Sequence, residues 1–424
     1  MSNPIDQSLR LSSVETLGSR LKSRDNNFDA MRLLAAFAVI VSHAYPIAWG
    51  SIGNDSEPYL KLSGYCSIGE ISVSIFFIVS GLLVARSFIS DPNLMSFMKK
   101  RLLRILPGLM ACVLFCMLIM GPIFTQWKLA DYFKAKEFRD FSRNAILLPN
   151  HYDLPGVFEE FDDQRAAVNG SLWSLPLEFV MYVAVLGLGL AGLLKKNWAC
   201  VFVVIASFVG WIVIEKLLHQ PVPPAIIKKQ QTWLEQGSRL SALFFAGTLM
   251  LLYKDSIALK FRYFAVCLLL MVLSWQTSIA SICGIIGQAQ WAPAPGNNFA
   301  GYYVFAAVLP YIVMYLAFAR MGIFKPVLQS ATKWGDFSYG VYLYGYPVEQ
   351  MVCRTIGDRI PFWAFIGLSC LGTLVLAILS WHLVEKQFLR MKKHPTHIGA
   401  EKKQERMNHE KLESHEKDLK RVAV

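Results

Sequence analysis

Charge is scarce in this chain. Lys, Arg, Asp and Glu make up 17% of its 424 residues, against about a quarter in ordinary soluble domains. With 54% apolar residues and a mean hydropathy of +0.39, a soluble globular protein is excluded and a polytopic membrane protein is expected. A Gly-x-Ser-x-Gly elbow, a Walker loop and a His/Cys cluster at metal-ligand spacing are all missing. Soluble hydrolase, nucleoside triphosphatase and zinc chemistry therefore have no support, and no metal is expected. The eight cysteines form no Cys-x-x-Cys pair. Cys112, Cys116, Cys200, Cys267 and Cys370 lie in apolar runs, where a thiol acts as a small hydrophobe. Cys66, Cys283 and Cys353 fall near one expected membrane face, with no spacing that dictates a pairing. Residues 1–28 are polar, with Arg10, Arg20, Lys22 and Arg24, and lack the apolar core of a cleavable signal. There is also no internal repeat of the kind that marks many transporters.

What the chain does have is long apolar runs. A spanning helix needs about 20 largely apolar residues, and that rule predicts ten spans: 30–49, 71–90, 105–124, 172–194, 198–218, 238–253, 263–285, 300–319, 336–353 and 362–384. The net charge of +12 sits in short clusters between these runs, so it reads as a topology signal and not as a nucleic-acid surface. Lys99, Lys100, Arg101, Arg104, Lys195, Lys196, Lys254, Lys260 and Arg262 all fall on the side of the N-terminus. The expected fold is an all-α transmembrane bundle with both termini cytoplasmic. Residues 1–28 form a cytoplasmic segment, 29–390 the membrane domain, and 391–424 a charged cytoplasmic tail. The longest external loop, 125–170, reads either as part of a substrate mouth or as a solvated connector.

Ionisable groups inside membrane segments are expensive and mark functional sites. The first apolar run carries two, Arg32 and His43. Eleven residues of helix place them on nearly one face, roughly 16 Å apart along the axis. Glu178, seven residues into its span, and Glu349, late in another, fall at the depth of His43 when counted from the outer boundary. A base with one or two carboxylates at one depth suits proton abstraction from a hydroxyl. Glu178 is preferred over Glu349 as the partner of His43, because it enters from the acceptor side. Pro176 just before it is expected to loosen the helix and turn the acid inward. Arg101 and Arg104 share a helical face and could fork onto phosphates, although on position alone a topology marker accounts for them better. His151 lies in the external loop as a weaker candidate for contact with substrate. His219 and His382 read as structural.

In order along the chain, these segments resemble the acyltransferase-three family of integral membrane acyltransferases. Phe28-Asp-Ala-Met-Arg32 followed by His43 is similar to the family's Arg-x10-His element. Ser74-Ile-Phe-Phe-Ile-Val-Ser-Gly81 is similar to its Phe-Phe-x-x-Ser-Gly element, and Arg101-Leu-Leu-Arg104 to its Arg-x-x-Arg element. Leu154-Pro-Gly-Val-Phe158 with Asn169-Gly-Ser-Leu-Trp173-Ser-Leu-Pro-Leu-Glu178 resembles the start of its fourth span. Ser338-Tyr-Gly-Val-Tyr-Leu-Tyr344 and Trp381-His-Leu-Val-Glu385-Lys386 resemble its last two elements. The chain departs from the family at Ser74, where many members have Asp, and at Tyr346-Pro347, where many have His-Pro.

The resemblance implies transfer of an acyl group, usually acetyl, from acetyl-CoA at the cytoplasmic face to a hydroxyl of a glycan or lipid-linked sugar. This places the protein in the inner membrane among its lipids. It implies His43 as the catalytic histidine, Arg32 as a partner nearer the donor, and Arg101 and Arg104 as contacts for the CoA phosphates. Trp173, Tyr346 and Glu349 are then expected to face the acceptor. A proton-coupled transporter or flippase of a sugar lipid is the alternative. It accounts for the buried ions, but not for a cytoplasmic Arg pair aligned with a deep His.

Overall fold

The computed structural model describes residues 15–23, 25–54, 56–148, 151–161, 164–218, 224–275, 299–319 and 334–391. Cys283, His219, the end of the expected seventh span and the charged tail lie outside them. The described residues form helices and loops, with two isolated bridges, Thr16–Ala258 and Thr125–Val157, as the only β-type pairing among them. No disulfide joins the described cysteines.

A short helix α1 (Leu17–Leu21) precedes α2 (Phe28–Trp49), α3 (Ile68–Ser90) and α4 (Leu94–Phe115). The last continues through a π-turn, Cys116–Met120, to Phe124. Next come α5 (Ser174–Leu190), α6 (Asn197–Leu218), α7 (Pro224–Leu252), α8 (Phe261–Leu273), α9 (Phe299–Phe318), α10 (Ser338–Ile356) and α11 (Phe362–Ser380). Each of the ten expected spans contains helix, that of the seventh ending at Leu273. Among the described residues, six are long and apolar enough to cross a membrane. The start of α3 follows from its sequence: Ser67 and Glu70 form a capping box, each side chain bonding the other's backbone N–H.

Small residues set the packing, as expected where helices gain no hydrophobic drive from surrounding lipid. A Cβ on Gly81 would overlap the Phe244 carbonyl, and one on Gly247 the Ile78 carbonyl, so α3 and α7 cross backbone to backbone. Thr248 Oγ1 secures the crossing by donating to the Gly81 carbonyl at 3.0 Å. Gly345 likewise lets α10 close onto Ile40 of α2. The helix α2 packs against both α3 and α10. The external loop is not a solvated connector. Its Leu154, Val157, Phe158 and Val168 are buried, and Gln350 of α10 donates to the carbonyls of Arg165 and Ala167.

Candidate active site

Two polar clusters lie along the seam between α2 and α10. The first is at the end of the bundle that bears Lys99–Arg104, called the basic end below. Arg32 of α2 donates through Nη1 to Asp336 Oδ2 at 2.9 Å, and Arg104 of α4 donates through Nη2 to the same oxygen at 2.5 Å. Ser338 Oγ donates to the other Asp336 oxygen at 2.5 Å. Asp336 stands two residues ahead of α10, outside the span. Burial alone would raise its pKa, but Arg104 and Arg32 outweigh burial and hold the carboxyl well below the usual carboxylate range.

Arg101, one turn before Arg104, reaches Ser87 Oγ at 3.4 Å, and its guanidinium lies 5.7 Å from the Tyr182 ring centre. Its Nε is buried with no hydrogen-bond partner. Glu178 accepts from Ser80 Oγ at 3.0 Å and from the Tyr182 hydroxyl at 2.5 Å. Arg32, Arg101, Arg104, Glu178 and Tyr182 line one cleft of about 80 Å³, room for two or three water-sized groups.

The second cluster is deeper. His43 Nδ1 of α2 lies 3.9 Å from Glu349 Oε2 of α10, beyond hydrogen-bond length but within ion-pair range. The His43 side chain keeps 24% of its surface exposed and Glu349 none. Among the described residues, neither carboxylate oxygen of Glu349 has a hydrogen-bond partner. Tyr346, one turn before Glu349, meets the imidazole edge to face, with ring centres 5.1 Å apart. With Nδ1 turned to the carboxylate, Nε2 is the nitrogen left for a reactant.

Proline chemistry sets the local frame. Pro347 has no N–H to give the Leu343 carbonyl one turn earlier. That carbonyl instead accepts from Asn169 Nδ2 at 3.0 Å and from Cys112 Sγ at 3.3 Å. Asn169 thereby pins the start of the fourth-span segment to the middle of α10. The adjacent Gly170 lets the Tyr346 ring approach, since a Cβ there would lie 2.7 Å from it. Trp173 ends the same 3₁₀ turn, Gly170–Trp173, half-buried against the main core.

The sequence preference for Glu178 beside His43 is corrected here, because Glu349 occupies that place. The segment ahead of α5 dips into the bundle, and Ser174 Oγ already lies 2.6 Å from the Tyr342 hydroxyl, near the start of α10. Four residues further on, Glu178 lies about 6 Å closer to the basic end, among the arginines. Pro176 lies in the first turn of α5, which runs on directly from the 3₁₀ turn Gly170–Trp173. His151 is held through its backbone, its N–H and carbonyl both bonded to the Asn144 amide. Asp336, Ser80 and Tyr182 were missed. An acid just ahead of a helix is an ordinary N-terminal feature, so Asp336 gave no distinctive signal.

Comparison with known proteins gives the family of the chain. A family model described as an acyltransferase domain matches residues 25–382. The chain is 31% identical over 367 residues to an O-acetyl transferase of Shigella phage Sf6, covering 86% of this chain and 96% of that one. It is 27% identical over 375 residues to nodulation protein 10 of Rhizobium leguminosarum bv. viciae, covering 87% and 94%. No solved structure matches. The chain therefore belongs to the acyltransferase-three family, and it is an acyltransferase with helices built to cross a membrane.

Proposed function

We propose that the protein is an integral membrane O-acetyltransferase of the inner membrane. It would move an acetyl group from cytoplasmic acetyl-CoA to a hydroxyl of an extracytoplasmic glycan or lipid-linked sugar. The observation that carries this reading is the seam itself. Arg32–Asp336 and His43–Glu349 tie the same two helices together at two levels, eleven residues or roughly 16 Å apart on α2. A polyanionic donor would be received at the basic end, where Arg101 Nε is buried with no hydrogen-bond partner among the described residues. The pantetheine arm would carry the thioester along the seam to the imidazole.

In the transfer step, His43 Nε2 takes the proton of the acceptor hydroxyl as its oxygen bonds to the thioester carbonyl carbon. The tetrahedral intermediate collapses with cleavage of the C–S bond, and the thiolate leaves as the CoA thiol with the proton from His43. Ester and free CoA are the products, and the histidine ends unchanged. Glu349 would orient the imidazole through Nδ1 and stabilise the imidazolium while it lasts, as the carboxylate of a triad does. Tyr346 and Trp173 would line the acceptor's approach. Glu178 would act at a distance from the proton, holding Tyr182 against Arg101. The O-acetyl transferase named among the relatives supports the choice of reaction.

The test is His43→Ala in the full-length protein, with acceptor glycans weighed by mass spectrometry. Loss of the acetyl mass increment at normal membrane abundance is expected. An unchanged increment removes His43 from the mechanism.

A further inference from the structure

A larger cavity opens at the basic end. Its volume is about 840 Å³, within the range of small-molecule sites. It lies between the last turns of α3, α5 and α7 and is closed by α1. Four cations line it, Lys22, Arg86, Lys195 and Lys254, while most of the remaining wall is apolar. Lys254 Nζ is 3.0 Å from Asp255, and Arg86 donates to the Leu21 carbonyl at 3.0 Å. Among the described residues, Lys22, Arg86 and Lys195 have no carboxylate partner, and no carboxylate lines the cavity. The like charges of Lys22, Arg86 and Lys195, without a carboxylate partner, repel one another, and an anion in the hollow would relieve this. The apolar wall beside it suits a planar ring.

The cavity is in register with the arginine cleft. On α5, Tyr182 lines the cleft and Gly189 the cavity; on α3, Val79 and Leu83 line the cleft and Arg86 and Ser90 the cavity. Each step of seven residues is two turns on one helical face, about 10 Å. Arg101, which lines the cleft, reaches Ser87, the neighbour of the cavity-lining Arg86.

Building on the acyl-CoA reading above, we propose that this cavity holds the 3′-phosphoadenosine end of the donor. The 3′-phosphate would sit among Lys22, Arg86, Lys195 and Lys254, and the diphosphate at Arg101. An acidic lipid headgroup offers the same phosphate chemistry, so the experiment separates the two sources.

The probe is adenosine 3′,5′-bisphosphate, titrated against the full-length protein in phosphatidylcholine nanodiscs with and without phosphatidylglycerol. Wild type and His43→Ala should bind it equally. Lys22→Glu/Lys195→Glu should bind at least tenfold more weakly, the scale of one lost charge-assisted contact. Lys22→Gln/Lys195→Gln should show a smaller loss in the same direction, in both lipids. In turnover, the wild-type preference for acetyl-CoA over its 3′-dephospho form should collapse toward one in the charge-reversed variant. Undiminished bisphosphate affinity, or equal KM rises for both donors, overturns the assignment. So does an effect confined to phosphatidylglycerol discs, which would make the cavity a headgroup site. Bisphosphate binding without acetyl transfer by wild type would instead refute the proposed reaction and leave the nucleotide site standing.

Discussion

Replacing Glu349 with Gln isolates the charge beside His43. The side chain is fully buried, lacks a hydrogen-bond partner and meets His43 Nδ1 at 3.9 Å, so a near-isosteric amide removes little but the charge. At an effective dielectric constant of about 20, unit charges at that distance attract by about 4 kcal/mol. If the imidazolium forms in the transition state, that sets a ceiling of about a thousandfold on kcat. The expected fall is therefore between about one hundredfold and one thousandfold, with KM for donor and acceptor changed by less than about threefold. The fold should not suffer, because a buried charge without hydrogen bonds is costly and an amide of the same shape removes that charge. The assay is acetyl transfer by purified protein in nanodiscs, with donor and acceptor varied separately and thermal stability measured on the same samples. A Glu349→Gln protein that turns over within threefold of wild type refutes the pairing. A low rate accompanied by a fall in stability would refute the claim that only the charge was lost.

Glu178→Gln should do the opposite. It can still accept from Ser80 and Tyr182, and it lies with the arginines, so KM for acetyl-CoA should move more than kcat; a collapse of kcat alone would return Glu178 to the proton chemistry. Asp336→Asn leaves Arg32 and Arg104 without their shared carboxylate and should cost about 3 kcal/mol, read as a lower unfolding midpoint in detergent. Because the Asp336 pKa is depressed in the folded state, its stabilisation is present above the usual carboxylate range and is lost only as pH falls below it. Asn169→Ala should destabilise by about 1–2 kcal/mol by stripping an acceptor's partner. Pro347→Ala should relieve that cost, because its N–H can take the Leu343 carbonyl; additive losses in the double variant would refute the compensation.

The chemistry of the site was legible in the sequence, and the pairing was not. Arg32 and His43 stood out because charge inside an apolar run demands a reason, and their shared helical face followed from spacing alone. Counting residues from a span's edge gives a side chain's height only if the edge lies at the membrane surface. His43 of α2 and Glu349 of α10, counted to one depth, do lie side by side. The count failed for Glu178, since Asn169, Ser171 and Leu172 are buried and deliver α5 already inside the bundle. Asp336 was hidden for another reason: its partners, Arg32 and Arg104, come from helices remote in sequence, and a local pattern carries no information about them. Asn169 acquired its role only through the missing N–H of Pro347, a contact across 174 residues.

The seam between α2 and α10 also constrains how the protein is made. Arg32 and Asp336 are 304 residues apart in the chain, so at roughly 10 residues per second the first helix waits about 30 s for its partner to be synthesised. Throughout that interval Arg32 and His43 sit in a segment otherwise apolar enough to enter lipid, where an unpaired cation is costly. The interface between α2 and α3 can form early and shelter one flank, but the polar flank stays open until α10 arrives. The seam between α2 and α10 is thus among the last interfaces to close during biogenesis. A ribosome that stops between Arg104 and Asp336 leaves a membrane-inserted chain that holds Arg32, Arg101 and Arg104 but not the carboxylate that pairs Arg32 with Arg104.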